Sequence, residues 1–231
     1  MAGKGKIGAI IVAAGTGSRM NADCPKQFIE VLGKPILYYT LKAFEQSKVD
    51  EVIVVTGKDY VTYVEKKIVV QFGFHKVSKV IAGGSERYES VYCGLNTMYE
   101  LDYVLVHDGA RPFVEPQLID HVIDEVKQHD AVIVGVKAKD TVKLVDEEGM
   151  VCSTPNRNLV WNIQTPQAFE YNLLKSAYDK VIGAQATFVT DDSMVVEYAT
   201  NHPIKVIEGS YRNIKITTPE DLNEGAFEHL W

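Results

Sequence analysis

The chain has 231 residues, of which 46% are hydrophobic and 24% are charged, a composition typical of a globular protein with a buried core. Its formal net charge of -7 argues against a general binder of nucleic acid or anionic membranes, because phosphate-rich surfaces require a broad basic face. The three cysteines show neither disulfide-framework nor zinc-site spacing, and no apolar run is long enough to cross a bilayer. We therefore expect a cytoplasmic protein.

Apolar strands alternate with helical patterns along the first half of the chain. The run Ile7 to Ala13 is almost continuously apolar, and we interpret it as a strand buried on both faces rather than as part of a signal peptide. The alternation predicts one α/β domain over residues 1–231, with a Rossmann-like, mainly parallel twisted sheet covered by helices on both faces. Further strands are predicted at 50–57, 77–84, 102–108 and 130–136, with helices at about 35–46, 60–72, 86–99 and 116–128.

The alternation stops at about residues 138–160, which have no helical period. Two extended segments, Thr141 to Val145 and Met150 to Ser153, flank a turn at Glu148-Gly149. Because a hairpin without its own core is marginally stable, we predict a protruding β-arm that packs on a second subunit. Beyond it we predict a helix in "TDDSMVVEYAT", short strands in "IKVIEGS" and "NIKIT", and a last helix opening at Thr218-Pro219.

Three of the predicted strands end in unusual loops. These are the glycine-rich loop from Ala14 to Arg19, the loop from Gly83 to Arg87, and the loop from His107 to Arg111. Because ligands of parallel α/β sheets bind at the carboxyl ends of the strands, we expect the three loops to line one crevice.

The first of these loops does not fit the two common nucleotide-binding motifs. A Walker A loop requires Gly-Lys followed by Ser or Thr, but Arg19 and Met20 stand there. A dinucleotide fingerprint requires a third glycine where Met20 stands. It also requires an acid after the second strand, which instead ends Thr56-Gly57-Lys58. We therefore disfavour a dehydrogenase.

A third interpretation takes the stretch A-A-G-T-G-S-R-M, a spacer and P-K-Q as one unit. The alanines and glycines remove side-chain bulk, so that backbone N–H groups can approach a triphosphate. Arg19 and Lys26 supply positive charge, which favours attack on an α-phosphorus because negative charge builds on its equatorial oxygens. The alternative is an ordinary glycine turn beside two solvated cations. We favour a nucleotide-transfer site with Arg19 and Lys26 as catalytic residues.

These stretches together resemble the nucleotidyltransferase family of 2-C-methyl-D-erythritol 4-phosphate cytidylyltransferases, enzymes of the non-mevalonate isoprenoid pathway. The resemblance runs nearly end to end. It implies transfer of a cytidylyl group from CTP to a polyol phosphate, with Mg²⁺ as cofactor and release of pyrophosphate. It rests on "AAGTGSRMNADCPKQF", "AGGSERYESV", "HDGARPF", "DTVK", "NRNLVWNIQTPQAF", "VTDDSMVVE" and "NIKITTPEDL".

Two alternatives remain open. Ribitol-5-phosphate cytidylyltransferases of teichoic acid synthesis share the first half of the pattern, although their usual "HDAVRPF" and Ser-Asp-Ala-Cys differ from "HDGARPF" and "TDDS" in this chain. The second alternative is a non-catalytic nucleotide-binding module on the same fold. The nucleotide-binding residues that follow from the loops and the resemblance are Ala13, Ala14, Gly15, Thr16, Gly17, Ser18, Arg19, Lys26, Gly83, Gly84, Ser85 and Ser90.

A strand-end carboxylate marks the predicted metal and acceptor site. Asp108 follows an apolar strand, and Mg²⁺ prefers one or two carboxylates together with phosphate oxygens, so we predict that Asp108 holds the metal. We expect His107 to be structural. Helix capping explains the acids at 191 and 192 more simply than a second acidic site does. The resemblance further implies that Asp108, Arg111, Thr190 and Lys215 bind the acceptor, and that Lys215 is catalytic.

The resemblance also gives the arm a role in catalysis. It implies that Arg157 reaches into the site of a neighbouring subunit, and that Thr141 contacts the acceptor there. We therefore predict a homodimer in which the arm, an insertion at about 138–160, completes the partner's site.

Overall fold

The computed structural model has a seven-stranded sheet at the centre of the described part of the chain. Helices cover both faces of this sheet, as the alternation of strands and helices predicts. None of the helices among the described residues has both the length and the apolar composition needed to cross a membrane. The structure describes residues 5–15, 24–185, 188–222, 224–228 and 230.

Strands and helices are numbered in chain order. The strands are β1 (Ile7–Ala13), β2 (Glu30–Val31), β3 (Lys34–Pro35), β4 (Glu51–Thr56), β5 (Val77–Ala82), β6 (Tyr103–Asp108), β7 (Ala131–Lys137), β8 (Leu144–Val145), β9 (Val151–Ser153), β10 (Trp161–Glu170) and β11 (Lys205–Glu208). The helices are α1 (Ile36–Glu45), α2 (Val61–Tyr63, continued by a π-helix at Val64–Val70), α3 (Arg87–Leu95), α4 (Pro116–His129), α5 (Tyr171–Gly183), α6 (Asp192–Ala199) and α7 (Glu224–Phe227).

The order of strands in the sheet explains where a ligand can bind. The order is β11-β7-β10-β6-β1-β4-β5, and each neighbouring pair is parallel except the two pairs that include β10. From β1 the chain builds β4 and β5 on one side and then returns to β6 on the other side. The carboxyl ends of β1 and β6 are therefore a topological switch point, where open α/β sheets form a crevice.

The core consists of apolar layers on the two faces of the sheet. Ile7, Ala9 and Ile11 of β1 pack in the layer under α1 and α4, whereas Ile10 packs in the layer under α3 and α5. Alternate residues of a strand point to opposite faces, so an almost continuous apolar run is what a strand covered on both sides requires. The interpretation of residues 7–13 as a buried strand is confirmed.

Local sequence signals explain where the helices bordering the site begin. The carboxylate of Glu86 caps α3 in a reciprocal capping box with Glu89. The carboxylate of Asp191 accepts the backbone N–H of Met194 at 2.9 Å and caps α6. Pro116 occupies the first position of α4, where its missing N–H has no consequence.

The second half of the chain differs from the prediction in one central element. β10 lies between β7 and β6 as the antiparallel strand of the sheet, although the sequence predicted only two extended segments before it. Its sequence is polar and contains Pro166, where the register of the pairing to β7 shifts. Gln164, Thr165 and Gln167 are nevertheless buried. Polar side chains can be buried in this way only where they find hydrogen-bond partners.

Three smaller predictions have mixed outcomes. The predicted strand in "NIKIT" is wrong, because residues 213–217 form an extended loop outside the sheet, tied to it by Ile216 N–H donating to the carbonyl of Ala110 at 2.8 Å. The predicted helix opening at Thr218 begins as a single 3₁₀ turn, Pro219–Asp221, closed by a capping box. The strand in "IKVIEGS" is confirmed as β11.

The predicted arm contains an antiparallel hairpin, β8 paired with β9. Gly149 takes the left-handed conformation in the turn, with φ of +82°, which favours glycine. The apolar side chains of the hairpin are exposed: Leu144 and Val145 to 55%, Met150 to 65% and Val151 to 60%. We call residues 144–153 the hairpin.

Candidate functional site

A cavity of about 310 Å³ opens at the carboxyl ends of β1 and β6. Parts of all three predicted loops border it, so the crevice predicted from the sequence is present in the described residues. Residues 16–19 of the first loop, which include the predicted sites Thr16, Gly17, Ser18 and Arg19, lie outside the described residues. The cavity is lined by Val12, Ala13, Ala14, Gly15, Lys26, Gln27, Gly84, Ser85, Glu86, Arg87, Ser90, Asp108, Ala110, Lys215 and Thr217.

The backbone that follows β1 is held by a buried glutamine. The amide Nε2 of Gln27 donates to the carbonyl of Ala13 at 2.6 Å and to that of Gly15 at 3.1 Å. Among the described residues, no atom lies within 4 Å of a Cβ built on Gly15, and Gly15 presents bare main chain to the cavity. The sequence analysis quoted P-K-Q but gave Gln27 no role. Its role in the structure is to fix the start of the glycine loop.

Lys26 connects a segment near the start of the chain with a segment near its end, at the cavity wall. Pro25 precedes the 3₁₀ turn Lys26–Phe28, and the Nζ of Lys26 donates to the carbonyl of Ile216 at 2.7 Å. Ile216 directly follows Lys215 in the loop that also lines the cavity. The two predicted catalytic lysines therefore lie on segments that touch each other, although 189 positions separate them in the sequence.

The loop after β5 packs so closely that only glycine fits. A Cβ on Gly83 would lie 2.4 Å from Ser90 Oγ and 3.0 Å from the Cβ of Ala14. A Cβ on Gly84 would lie 2.4 Å from the Cβ of Glu89. Gly83 therefore allows the second loop to contact the first.

The hydrogen bonds of this loop are directed mostly to its own helix. The Glu89 carboxylate accepts the Ser85 N–H at 2.8 Å and the Ser85 hydroxyl at 2.7 Å. The Ser90 hydroxyl donates to the carbonyl of Glu86 at 3.1 Å. The hydrogen bond from Ser85 is the largest factor that lowers the pKa of Glu89. These bonds tie the loop to the first turn of α3 beside the cavity.

Asp108 is the centre of a charged cluster. Its Oδ1 lies 3.2 Å from Arg87 Nε, and its Oδ2 lies 3.0 Å from Lys215 Nζ and 3.4 Å from Arg111 Nε. The Asp108 side chain is only 9% exposed, and burial alone would raise its pKa. The attraction of Arg87, Lys215 and Arg111 outweighs the effect of burial and holds the pKa of this carboxyl well below its usual range. Asp108 is therefore ionised, as the predicted metal and acceptor roles require.

Arg87 was missed by the sequence analysis. Besides Asp108, its Nη2 contacts Oδ2 of Asp192 at 2.8 Å, and the Tyr178 hydroxyl donates to Oδ1 of Asp192 at 2.6 Å. The capping explanation is confirmed for Asp191 and wrong for Asp192, which is fully buried and forms an ion pair. The sequence could not indicate this pair, because the partners are 105 positions apart.

His107 is structural, as expected. It is fully buried, and burial lowers its pKa to about 3, so the ring is neutral. Thr165 Oγ1 accepts the Asp108 N–H at 3.1 Å, so its own hydroxyl proton is available for His107 Nδ1 at 3.0 Å. We assign the remaining ring proton to Nε2, which lies 3.2 Å from the carbonyl of Arg111. The imidazole thus fixes the turn that carries Asp108 and Arg111.

The other predicted acceptor residues lie elsewhere. Thr141, Arg157 and Thr190 are exposed and are not among the described residues that line the cavity. The Arg157 guanidinium donates to the carbonyl of Lys139 at 3.0 Å, and the Thr190 hydroxyl contacts Met194 Sδ at 3.7 Å. Of the predicted acceptor residues, the described structure brings together Asp108, Arg111 and Lys215.

The described residues fit a magnesium ion only if phosphate oxygens of a bound substrate complete its coordination. Among the described residues, no group of three or more His, Cys, Asp or Glu side chains is arranged to hold a metal ion. Two carboxylates, Glu86 and Asp108, line the cavity. Glu86 caps α3, so Asp108 is the carboxylate that would hold Mg²⁺ together with phosphate oxygens. Both Asp108 oxygens already contact cations, so a bound metal would replace one of these contacts.

Comparisons with known proteins show the family of this chain. Residues 7–228 match the family model of 2-C-methyl-D-erythritol 4-phosphate cytidylyltransferase. The chain is 52% identical to the enzyme of that name from Lachnoclostridium phytofermentans, over 94% of this chain and 93% of the relative. It is 48% identical to that from Clostridium perfringens, over 94% of this chain and 96% of the relative.

Solved structures give the same result. The 4-diphosphocytidyl-2C-methyl-D-erythritol synthase of Anaerococcus prevotii is 40% identical and superimposes with a TM-score of 0.83, over 94% of this chain and 92% of the other. The Francisella tularensis 2-C-methyl-D-erythritol 4-phosphate cytidylyltransferase is 32% identical with a TM-score of 0.78, over 96% and 99%. This chain belongs to the 2-C-methyl-D-erythritol 4-phosphate cytidylyltransferase family.

Proposed function

We propose that this chain transfers the cytidylyl group of CTP to 2-C-methyl-D-erythritol 4-phosphate, giving 4-diphosphocytidyl-2-C-methyl-D-erythritol and pyrophosphate. Family membership supports this substrate pair over ribitol 5-phosphate. The observation that carries the proposal is the cluster of Asp108, Arg111 and Lys215, of which Asp108 and Lys215 line a cavity bordered by bare backbone and Lys26. We propose a cytoplasmic enzyme with one nucleotidyltransferase domain and an arm inserted at about 138–160.

The reaction joins two anions, and the charges of the site suit it. An oxygen of the acceptor phosphate attacks the α-phosphorus of CTP, a new O–P bond forms, and the bond to the β-phosphate breaks with its electron pair leaving on pyrophosphate. Negative charge grows on the α-phosphoryl oxygens, and fixed cations stabilise it without having to reorganise. Lys26 lines the cavity, and we assign this task to it. We assign the same task to Arg19 from the sequence.

The acceptor phosphate is assigned to the cluster around Asp108. Arg87, Arg111 and Lys215 carry three positive charges against the two carboxylates of Asp108 and Asp192, which leaves one net positive charge to attract a phosphate. Lys215 Nζ can bind the phosphate and also orient it toward the α-phosphorus. Asp108, which only accepts hydrogen bonds when ionised, suits the hydroxyl groups of a polyol.

The nucleotide is assigned to the first two loops. Ala13, Ala14 and Gly15 present backbone with little side-chain bulk, and Gly84, Ser85 and Ser90 also line this cavity. Mg²⁺, which Asp108 would hold together with the triphosphate, supplies neutralisation of the phosphate charge.

We also propose a homodimer formed through the hairpin. The exposure of Leu144, Val145 and Val151 to more than half supports it, because burying large apolar side chains contributes roughly 1.5–3 kcal/mol each. In this dimer Arg157 and Thr141, which do not line the described cavity of their own chain, complete the site of the partner.

A substrate screen tests the proposed reaction. Purified protein is incubated with Mg²⁺, one of four nucleoside triphosphates and either 2-C-methyl-D-erythritol 4-phosphate or ribitol 5-phosphate, and pyrophosphate release is measured. We expect the highest kcat/KM with CTP and the methylerythritol phosphate. A higher kcat/KM with ribitol 5-phosphate would show that ribitol 5-phosphate, rather than the methylerythritol phosphate, is the acceptor. Absence of pyrophosphate in every combination would instead favour a non-catalytic binding module.

A further inference from the structure

Arg87 connects three elements that surround the acceptor site. It is the first residue of α3, directly after the loop assigned to the nucleotide. Its guanidinium contacts Asp108 at the end of β6 and Asp192 at the start of α6. The side chain is 25% exposed, and it also lines the cavity.

The two carboxylates depend on Arg87 in different ways. The Asp192 side chain is fully buried, and its described partners are the neutral hydroxyl of Tyr178 and Arg87, so Arg87 compensates its charge. Asp108 has two further cations, but Arg111 and Lys215 both contact Oδ2, whereas Arg87 contacts Oδ1. Arg87 therefore fixes the rotation of the Asp108 carboxylate, and it directs Oδ2 toward Arg111 and Lys215.

The same contact anchors the start of α6. Asp192 follows the N-cap Asp191, which in turn follows Thr190, the threonine assigned to the acceptor. Gln167 of β10 supports this end, because its side-chain amide donates to Asp191 at 3.0 Å and accepts the Ser193 N–H at 2.9 Å. Holding Asp192 therefore limits where Thr190 can lie relative to Asp108.

We propose that Arg87 is a positioning residue that aligns Asp108 and the start of α6 for binding of the acceptor polyol phosphate. This inference rests on the proposed function. Arg87 acts through the two carboxylates and does not touch the atoms that exchange bonds. A residue of this kind affects acceptor binding while leaving nucleotide binding largely intact, which separates it from Lys26.

The test compares Arg87→Met and Arg87→Lys with the wild-type enzyme. CTP affinity is measured without Mg²⁺ and without acceptor, so that the metal assigned to Asp108 plays no part; acceptor KM and kcat are measured at saturating Mg²⁺ and CTP, and the melting temperature reports on the fold. We expect Arg87→Met to raise the acceptor KM by roughly 10- to 100-fold, the effect of losing charge-assisted hydrogen bonds, with CTP Kd within about twofold of wild type. Arg87→Lys keeps the positive charge but cannot contact Asp108 and Asp192 with two separate nitrogen atoms. We therefore expect a native melting temperature with the acceptor KM still raised.

A double variant separates positioning from plain stabilisation. Arg87→Met combined with Asp192→Asn removes the unpaired buried charge, so we expect it to recover melting temperature but not acceptor KM. Recovery of acceptor KM in the double variant, an unchanged KM in both single variants, or an equal rise in CTP Kd would each overturn the proposal. Absence of turnover by the wild-type enzyme would contradict the proposed function instead.

Discussion

His107 makes the stability of the fold depend on pH in a way that can be calculated. Burial lowers its pKa from near 6.5 in the unfolded chain to about 3 in the folded protein. Between these values the unfolded chain binds a proton that the folded protein does not, so stability is complete above pH 6.5 and is lost as the pH falls toward 3. One pH unit corresponds to about 1.36 kcal/mol, and lowering the pH from 7 to 5 therefore removes about 2 kcal/mol.

Urea denaturation of wild-type protein and His107→Gln at pH 7, 6 and 5 measures this contribution. The variant loses the packing of the ring on Phe44 and is less stable throughout, so only the change with pH is compared. The other histidines titrate equally in both proteins and cancel in the difference. We expect the wild type to lose about 2 kcal/mol more than the variant between pH 7 and 5. If the unfolding free energies of the two proteins changed in parallel with pH, His107 would accept a proton inside the fold. The assignment of a neutral ring at this buried position would then be wrong.

Three further predictions concern the cavity and the hairpin. Gly83→Ala places a Cβ 2.4 Å from Ser90 Oγ, so we expect the free energy of unfolding to fall by about 1–3 kcal/mol. Gly15→Ala, whose Cβ would meet no described atom within 4 Å, should leave it nearly unchanged; equal effects would contradict the packing. Asp108→Asn should raise the Mg²⁺ concentration for half-maximal activity by roughly tenfold, and an unchanged Mg²⁺ requirement would exclude Asp108 as a ligand. Leu144→Ser with Val151→Ser should give an inactive monomer by analytical ultracentrifugation; a fully active monomer would refute the catalytic dimer.

Much of the fold could be predicted from the sequence because its strands are apolar and its helices carry start signals. β1, β4 and β6 are buried on both faces, so they are apolar in their interiors and carry polar residues only at their ends. β10 could not be found in this way, because its buried positions are glutamine and threonine whose partners come from distant segments. The "NIKIT" strand failed because the pattern placed Ile214 and Ile216 on one side, whereas Ile214 is 39% exposed and Ile216 is fully buried.

The candidate site shows the same limit. Glycines, a strand-end carboxylate and P-K-Q are local features, and they located the cavity, Asp108 and Lys26. Arg87 has no local feature that separates it from a solvated arginine at the start of a helix. Its importance comes from two carboxylates that the fold brings to it from 21 and 105 positions away.

The central claim is that fixed cations beside bare backbone stabilise the charge that develops at the α-phosphorus. Lys26→Ala tests it most directly, with the exposed Lys66→Ala as control, by measuring kcat at saturating CTP and acceptor. We predict a 10²- to 10³-fold fall in kcat, about 3–4 kcal/mol, in a variant that stays folded, with an unaffected control. A kcat within a few-fold of wild type, with the loss confined to KM, would contradict it.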